Sequence, residues 1–107
     1  MESKYNRIIV KAGTSLLTTG SGQINLSVIE NLVSQIAGLR QKRHQIALVS
    51  SGAVAVGRSA IDSLFENKGV LDRQVLAAIG QPRLMNIYEK YFSEQGIVCA
   101  QALLSRR

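Results

Sequence analysis

Lys11 is the first residue whose type and setting could do chemistry. It closes the apolar run Ile8-Ile9-Val10 and opens onto Ala12-Gly13-Thr14-Ser15, small residues with two hydroxyls. Small side chains let backbone N–H groups approach an anion, hydroxyls add donors, and an ammonium supplies a compact charge for a phosphate. Residues of this kind also build plain surface turns, in which the lysine would be incidental. A second stretch repeats the theme: Gln45-Ile46-Ala47-Leu48-Val49 opens into Ser50-Ser51-Gly52-Ala53. With a helix starting there, Gly52 and Ala53 offer N–H groups that attract negative charge. The alternative is a tight strand–helix turn with no ligand. Ligands of parallel α/β sheets bind beyond the carboxyl ends of the strands, so two such turns on neighbouring strands favour an anion site.

The elements that must position these residues follow from hydrophobic spacing. Ile8-Ile9-Val10 reads as a strand buried on both faces. Thr18-Thr19-Gly20-Ser21-Gly22 is turn-rich. Ser27 and Glu30 have the spacing of a capping box, and Ile29, Leu32, Val33, Ile36 and Leu39 mark one helical face. Arg40, Lys42, Arg43 and His44 close that helix, where cations complement its carboxyl-end dipole. Gln45–Ser50 is a second buried strand, completing a βαβ unit. A further helix is expected from Ala53 to Ala60, then an irregular surface excursion from Ser59 to Gly69. Leu71, Val75, Leu76 and Ile79 resume helical spacing, with Asp72 near the start. Pro82 should interrupt the helix, because it cannot donate back and crowds the preceding turn. Leu84, Met85, Tyr88, Tyr91 and Phe92 continue as a core-facing stripe, and Gly96 is a helix stop. Ile97 to Leu104 reads as a third strand.

Composition narrows the function classes. A chain of 107 residues, 46% hydrophobic and 19% charged, is ordinary for one small globular domain and unlike a disordered segment. The formal charge of +6 favours anionic partners such as a phosphorylated cofactor, an acidic substrate or nucleic acid. The few aromatics sit mostly on a helical stripe and are not interleaved with charge on strands, which argues against a stacking platform for nucleic acid. Cys99 is the only cysteine and His44 the only histidine, which argues against a disulfide, a metal cluster or a histidine triad. There is no GxxxxGK[ST] loop and no GxGxxG after a strand. The opening Met1-Glu2-Ser3-Lys4 lacks a signal peptide's apolar core and no apolar run is long enough to span a bilayer, so no membrane association and a cytoplasmic location are expected.

Four stretches, taken together and in order, resemble the glutamate 5-kinases of the amino-acid kinase family. They are Val10 to Ser15, Val49 to Arg58, Leu76 to Met85, and Leu103-Leu104-Ser105-Arg106. The GQPRLM segment, Gly80 to Met85, favours glutamate over the acceptors of sister kinases. The resemblance runs from about residue 7 to the end and implies an α/β fold. It would be the parallel-sheet three-layer sandwich of that family, incomplete, with about three strands and crossover helices. Residues 1–107 would be the N-terminal part of the kinase domain, with no second domain. The implied activity is ATP-dependent phosphorylation of the glutamate γ-carboxylate in proline biosynthesis, with Mg2+ bound through the nucleotide phosphates. Lys11 would be catalytic and, with Gly13, Thr14 and Ser15, would bind the ATP phosphates. Ser51, Gly52 and Ala53 would hold glutamate. The family's later aspartates and asparagine, its second lysine and its adenine-binding segment have no counterpart here, and Ala12 stands where a larger apolar residue is usual. The 107-residue chain alone is therefore expected to be inactive and to self-associate through an uncovered sheet. The competing reading is a stand-alone anion- or nucleic-acid-binding module without catalysis.

Overall fold

Ile8, Ile9, Val10 and the run Ile46–Val49 are rich in side chains that suit a pleated surface, and they pair as the two strands of a parallel sheet. The computed structural model describes residues 6–64 and 72–103. In chain order these form β1 (Arg7–Ala12), α1 (Thr14–Leu17), α2 (Leu26–Gln41), β2 (Gln45–Ser50), α3 (Ala53–Leu64) and α4 (Arg73–Glu94). The register sets Arg7 against Gln45, Lys11 against Val49 and Ala12 against Ser50, so both strands end at the same pole.

The core lies on one face of this sheet. Val10, Ile46 and Leu48 pack against buried Ile29, Val33 and Ile36 of α2 and Leu84, Tyr88 and Phe92 of α4. The other face is open: Ile9 is 75% exposed and Val49 53%. Burial therefore alternates along both strands, in place of the expected cover on both faces, because the described helices supply only one covering layer.

Three local readings are corrected. The amino end of α2 is capped by Asn25, whose side chain accepts from the Val28 N–H at 3.4 Å, while Ser27 donates to that same Asn25 oxygen. The hydroxyl expected to cap the helix thus supports the residue that does so. Pro82 lies inside α4 without ending it. The carbonyl that loses its partner belongs to Ala78; Ala78 and Pro82 are both exposed, which leaves that end of the break open to solvent, while Leu76, Gly80, Leu84, Tyr88 and Phe92 hold the helix down. The third strand does not form within residues 97–103. Ile97 and Cys99 turn inward and Val98 outward, a strand-like alternation, but a cavity of about 670 Å³ separates this segment from β2 and no ladder forms.

Other expectations fit. Asp72 caps α4 by accepting from the Gln74 N–H at 2.8 Å, and Gly96 ends it with φ +72°. The helix begun at Ala53 runs to Leu64, taking up the first part of the expected excursion. Residues 65–71 and the final Leu104-Ser105-Arg106-Arg107 lie outside the described residues. Arg43 holds the left-handed position just after α2, φ +68°, a conformation that favours glycine. No helix among the described residues is long and apolar enough to cross a membrane.

Candidate functional site

The carboxyl ends of β1 and β2 open into a polar cavity of about 710 Å³. One wall is the bend after β2. The Ser51 N–H donates to the Ala12 carbonyl at 2.9 Å, extending the sheet by one bond. Gly52 then takes φ +111° and turns the chain into α3, accepting its first helical bond from the Val56 N–H at 3.0 Å. Only glycine adopts this φ without strain, and a methyl there would also meet the Ile24 side chain at 3.3 Å. The first-turn amides of α3, at Ala53, Val54 and Ala55, have no carbonyl four residues back within the helix, so this wall presents donors.

The opposite wall comes from Thr14 at the start of α1 and from the turn that carries Ser21, Gly22 and Gln23. That turn is closed by Thr19 N–H to the Gln23 carbonyl at 2.7 Å and by the Thr18–Ile24 bridge. Arg58 of α3, Arg73 of α4 and Asp62 complete the rim, giving it two guanidinium groups and one carboxylate. A concave polar surface with donor amides and surplus positive charge is suited to an anionic ligand.

Of the residues singled out in the sequence, Thr14, Ser51, Gly52 and Ala53 share this cavity. Lys11, Gly13 and Ser15 are not in its wall. Lys11 is exposed and alternates with the half-buried Val10 and buried Ala12, which puts it on the open face of the sheet at the cavity's pole. The Gly13 carbonyl accepts from the Leu16 and Leu17 N–H groups, each at 3.2 Å, which anchors α1, and Ser15 is exposed. Sequence reasoning gave no role to Arg58, Arg73, Asp62 or Gln23. Arg58 sits six residues after Gly52, where helical phase brings it over the first turns of α3, and that spacing was a usable signal. Arg73 and Gln23 arrive from distant elements and gave none.

Behind the bend, the Tyr88 hydroxyl lies 2.7 Å from Ser50 Oγ. Burial raises the Tyr88 pKa above 10.0, partly offset by this hydrogen bond. A phenol harder to ionise when folded contributes stability that is complete below its unfolded pKa and is lost as pH rises through the folded value. Unfolding free energy should thus fall above about pH 10, and Tyr88→Phe should flatten that fall; urea titrations from pH 8 to 11 measure both.

Comparison with known proteins follows the same lines. The model of the amino acid kinase family matches residues 6–107. The chain is similar to the glutamate 5-kinase of Caldanaerobacter subterraneus subsp. tengcongensis, 47% identical over 100 residues, which are 94% of this chain and 27% of that protein. It is similar also to the glutamate 5-kinase of Dehalococcoides mccartyi (strain CBDB1), 46% identical over 105 residues, 98% of this chain and 28% of the other. That of Thermoanaerobacter sp. (strain X514) is 45% identical over 100 residues, with 94% and 27% covered. The chain therefore spans about a quarter of the length of these relatives and matches their N-terminal portion. With the family model covering nearly all of it, the chain belongs to the amino acid kinase family.

Proposed function

We propose that the chain forms the N-terminal part of a glutamate 5-kinase site, in which the γ-carboxylate of glutamate takes the γ-phosphoryl group of ATP. The observation that carries this reading is the cavity where Thr14 meets the Ser51-Gly52-Ala53 bend at the ends of two parallel strands. Ser51, Gly52 and Ala53 hold glutamate; Lys11, Gly13, Thr14 and Ser15 lie along the phosphates. A carboxylate oxygen attacks the γ-phosphorus and ADP leaves, so no covalent enzyme intermediate is required and the protein's contribution is positioning and charge. Lys11 offsets charge spread over the transferring oxygens.

No three His, Cys, Asp or Glu side chains cluster as a metal site among the described residues. Magnesium would be carried on the nucleotide phosphates, where it would supply charge neutralisation. The open sheet face bearing Ile9 and Val49 supports self-association of the chain alone. Little turnover is expected from these residues by themselves.

Amide resonances of the labelled chain, titrated with glutamate and with ATP–magnesium, test the reading. Shifts should concentrate at Thr14 and Ser51–Ala53. Shifts confined to the basic Arg40–His44 pole, weakening steeply with salt, would instead favour a polyanion-binding module.

A further inference from the structure

Among the described residues, Ser50 alone lines both the polar cavity and the apolar cavity beside residues 97–103. Its hydroxyl has a single proton, which it donates to the Ser51 carbonyl at 2.9 Å. The 2.7 Å contact with Tyr88 must then run the other way, with the phenol donating to Ser50 Oγ. Tyr88 is itself fixed: it is 3% exposed, sits on the core face of α4 and stacks with Phe92 at a ring separation of 6.3 Å. A chain of two hydrogen bonds therefore runs from the core of α4 to the bend that walls the polar cavity.

The Ser51–Gly52 peptide is the target of this chain. Its two neighbours are already set, by the Ser51 N–H on Ala12 and by the Gly52 carbonyl that starts α3. The carbonyl and N–H of a trans peptide point in opposite directions. Holding the Ser51 carbonyl toward Ser50 Oγ turns the Gly52 N–H away from it. Glycine at φ +111° is free to rotate through other conformations, so this peptide needs an external restraint to keep one orientation.

We infer that Tyr88 is a positioning residue of this site, acting through Ser50 Oγ to fix the Ser51–Gly52 peptide. The effect on ligand binding rests on the proposed glutamate site; the restraint on the peptide does not. An aromatic ring without the hydroxyl would fill the same core volume and leave the bend unrestrained.

The test compares the 107-residue chain with Tyr88→Phe, Ser50→Ala and the double variant, reading the Ser51 and Gly52 amide resonances and glutamate affinity. Each single variant should move the same two resonances. Each should weaken glutamate binding by about three- to tenfold, the worth of one hydrogen bond. The double variant should add nothing to Ser50→Ala, since both act through one chain. Unmoved Gly52 and Ser51 resonances in a folded Tyr88→Phe chain would overturn the inference. So would additive effects in the double variant. Should Tyr88→Phe fail to fold, Ser50→Ala, which keeps the ring, decides by the Gly52 resonance, since the Ser51 amide adjoins the substituted residue and shifts in any case; an unmoved Gly52 resonance would overturn the inference. Moved resonances in the variants, together with a wild-type chain that does not bind glutamate, would sustain the restraint and sink the site assignment. Equal glutamate affinity in all four proteins, each binding it, would leave the site assignment standing and overturn the role of Tyr88 in positioning it.

Discussion

Gly80→Ala is expected to destabilise the chain by about 3 kcal/mol, at the upper end of overpacking costs. For a domain of this size that lowers the melting temperature by roughly 12–24 °C. The reason is the crossing of α3 and α4, where the two backbones touch. A methyl at Gly80 would sit on the Ala53 carbonyl oxygen and 2.6 Å from the Gly57 nitrogen. Gly57 faces back in the same way, and a methyl there would meet the Leu76 carbonyl. Backbone cannot swing aside as a flexible side chain can, so the helices must part, and buried Leu76, Leu84 and Val56 lose contacts with them. Gly38→Ala is the control. It lies inside α2 with nothing within 4 Å of the added methyl, so it should stabilise by about 0.5–1 kcal/mol through helix propensity. Thermal melts of the two variants should move in opposite directions. A Gly80→Ala chain melting with the wild type would mean that the helices cross farther apart.

Lys11→Met is expected to slow phosphoryl transfer by a hundredfold or more, on the order of what one well-placed transition-state donor contributes. The measurement needs a chain in which these residues are joined to the rest of a glutamate 5-kinase domain. Lys11 is exposed and opposite Val49 in the register, two positions before Ser51. Its loss should therefore move stability by no more than about 0.5 kcal/mol. Methionine keeps most of the apolar stem and removes the charge. A fall in kcat with an unmoved melting temperature is the expected pair of results. An unchanged rate would remove the lysine from the chemistry and leave the cavity's arginines, Arg58 and Arg73, as its cations.

What could be read from the sequence was what neighbours along the chain decide. The Ile29-Val33-Ile36 face of α2, the Asp72 cap, the Gly96 stop and the Ser51-Gly52-Ala53 bend each follow from residues a few positions apart. Failures occurred where distant packing chose the outcome. Pro82 should end a helix, yet apolar contacts on either side carry α4 through it. Ile97 to Leu103 has the composition of a strand, but a strand also needs an unbroken backbone partner, and that cannot be read from its own residues. Tyr88 was legible as core and is core; its hydroxyl's path to Ser51 depends on a serine 38 residues earlier. Asn25 and Ser27 are both good capping residues, and spacing alone favoured the wrong one.

The backbone contact between α3 and α4 has one more consequence. Two helices locked this closely behave as a single stiff jaw, carrying the Ala53–Ala55 amides, Arg58 and Arg73 together. Facing them, the hairpin of residues 18–24 is a slighter structure, held by exposed backbone bonds and one isolated bridge. Residues 19–23 are exposed and only Ile24 at the hairpin's end reaches the core, and segments so lightly anchored open at lower cost than packed helices. Were the mouth to close around a guest, that hairpin would be the wall expected to move and the helical side the one expected to stay.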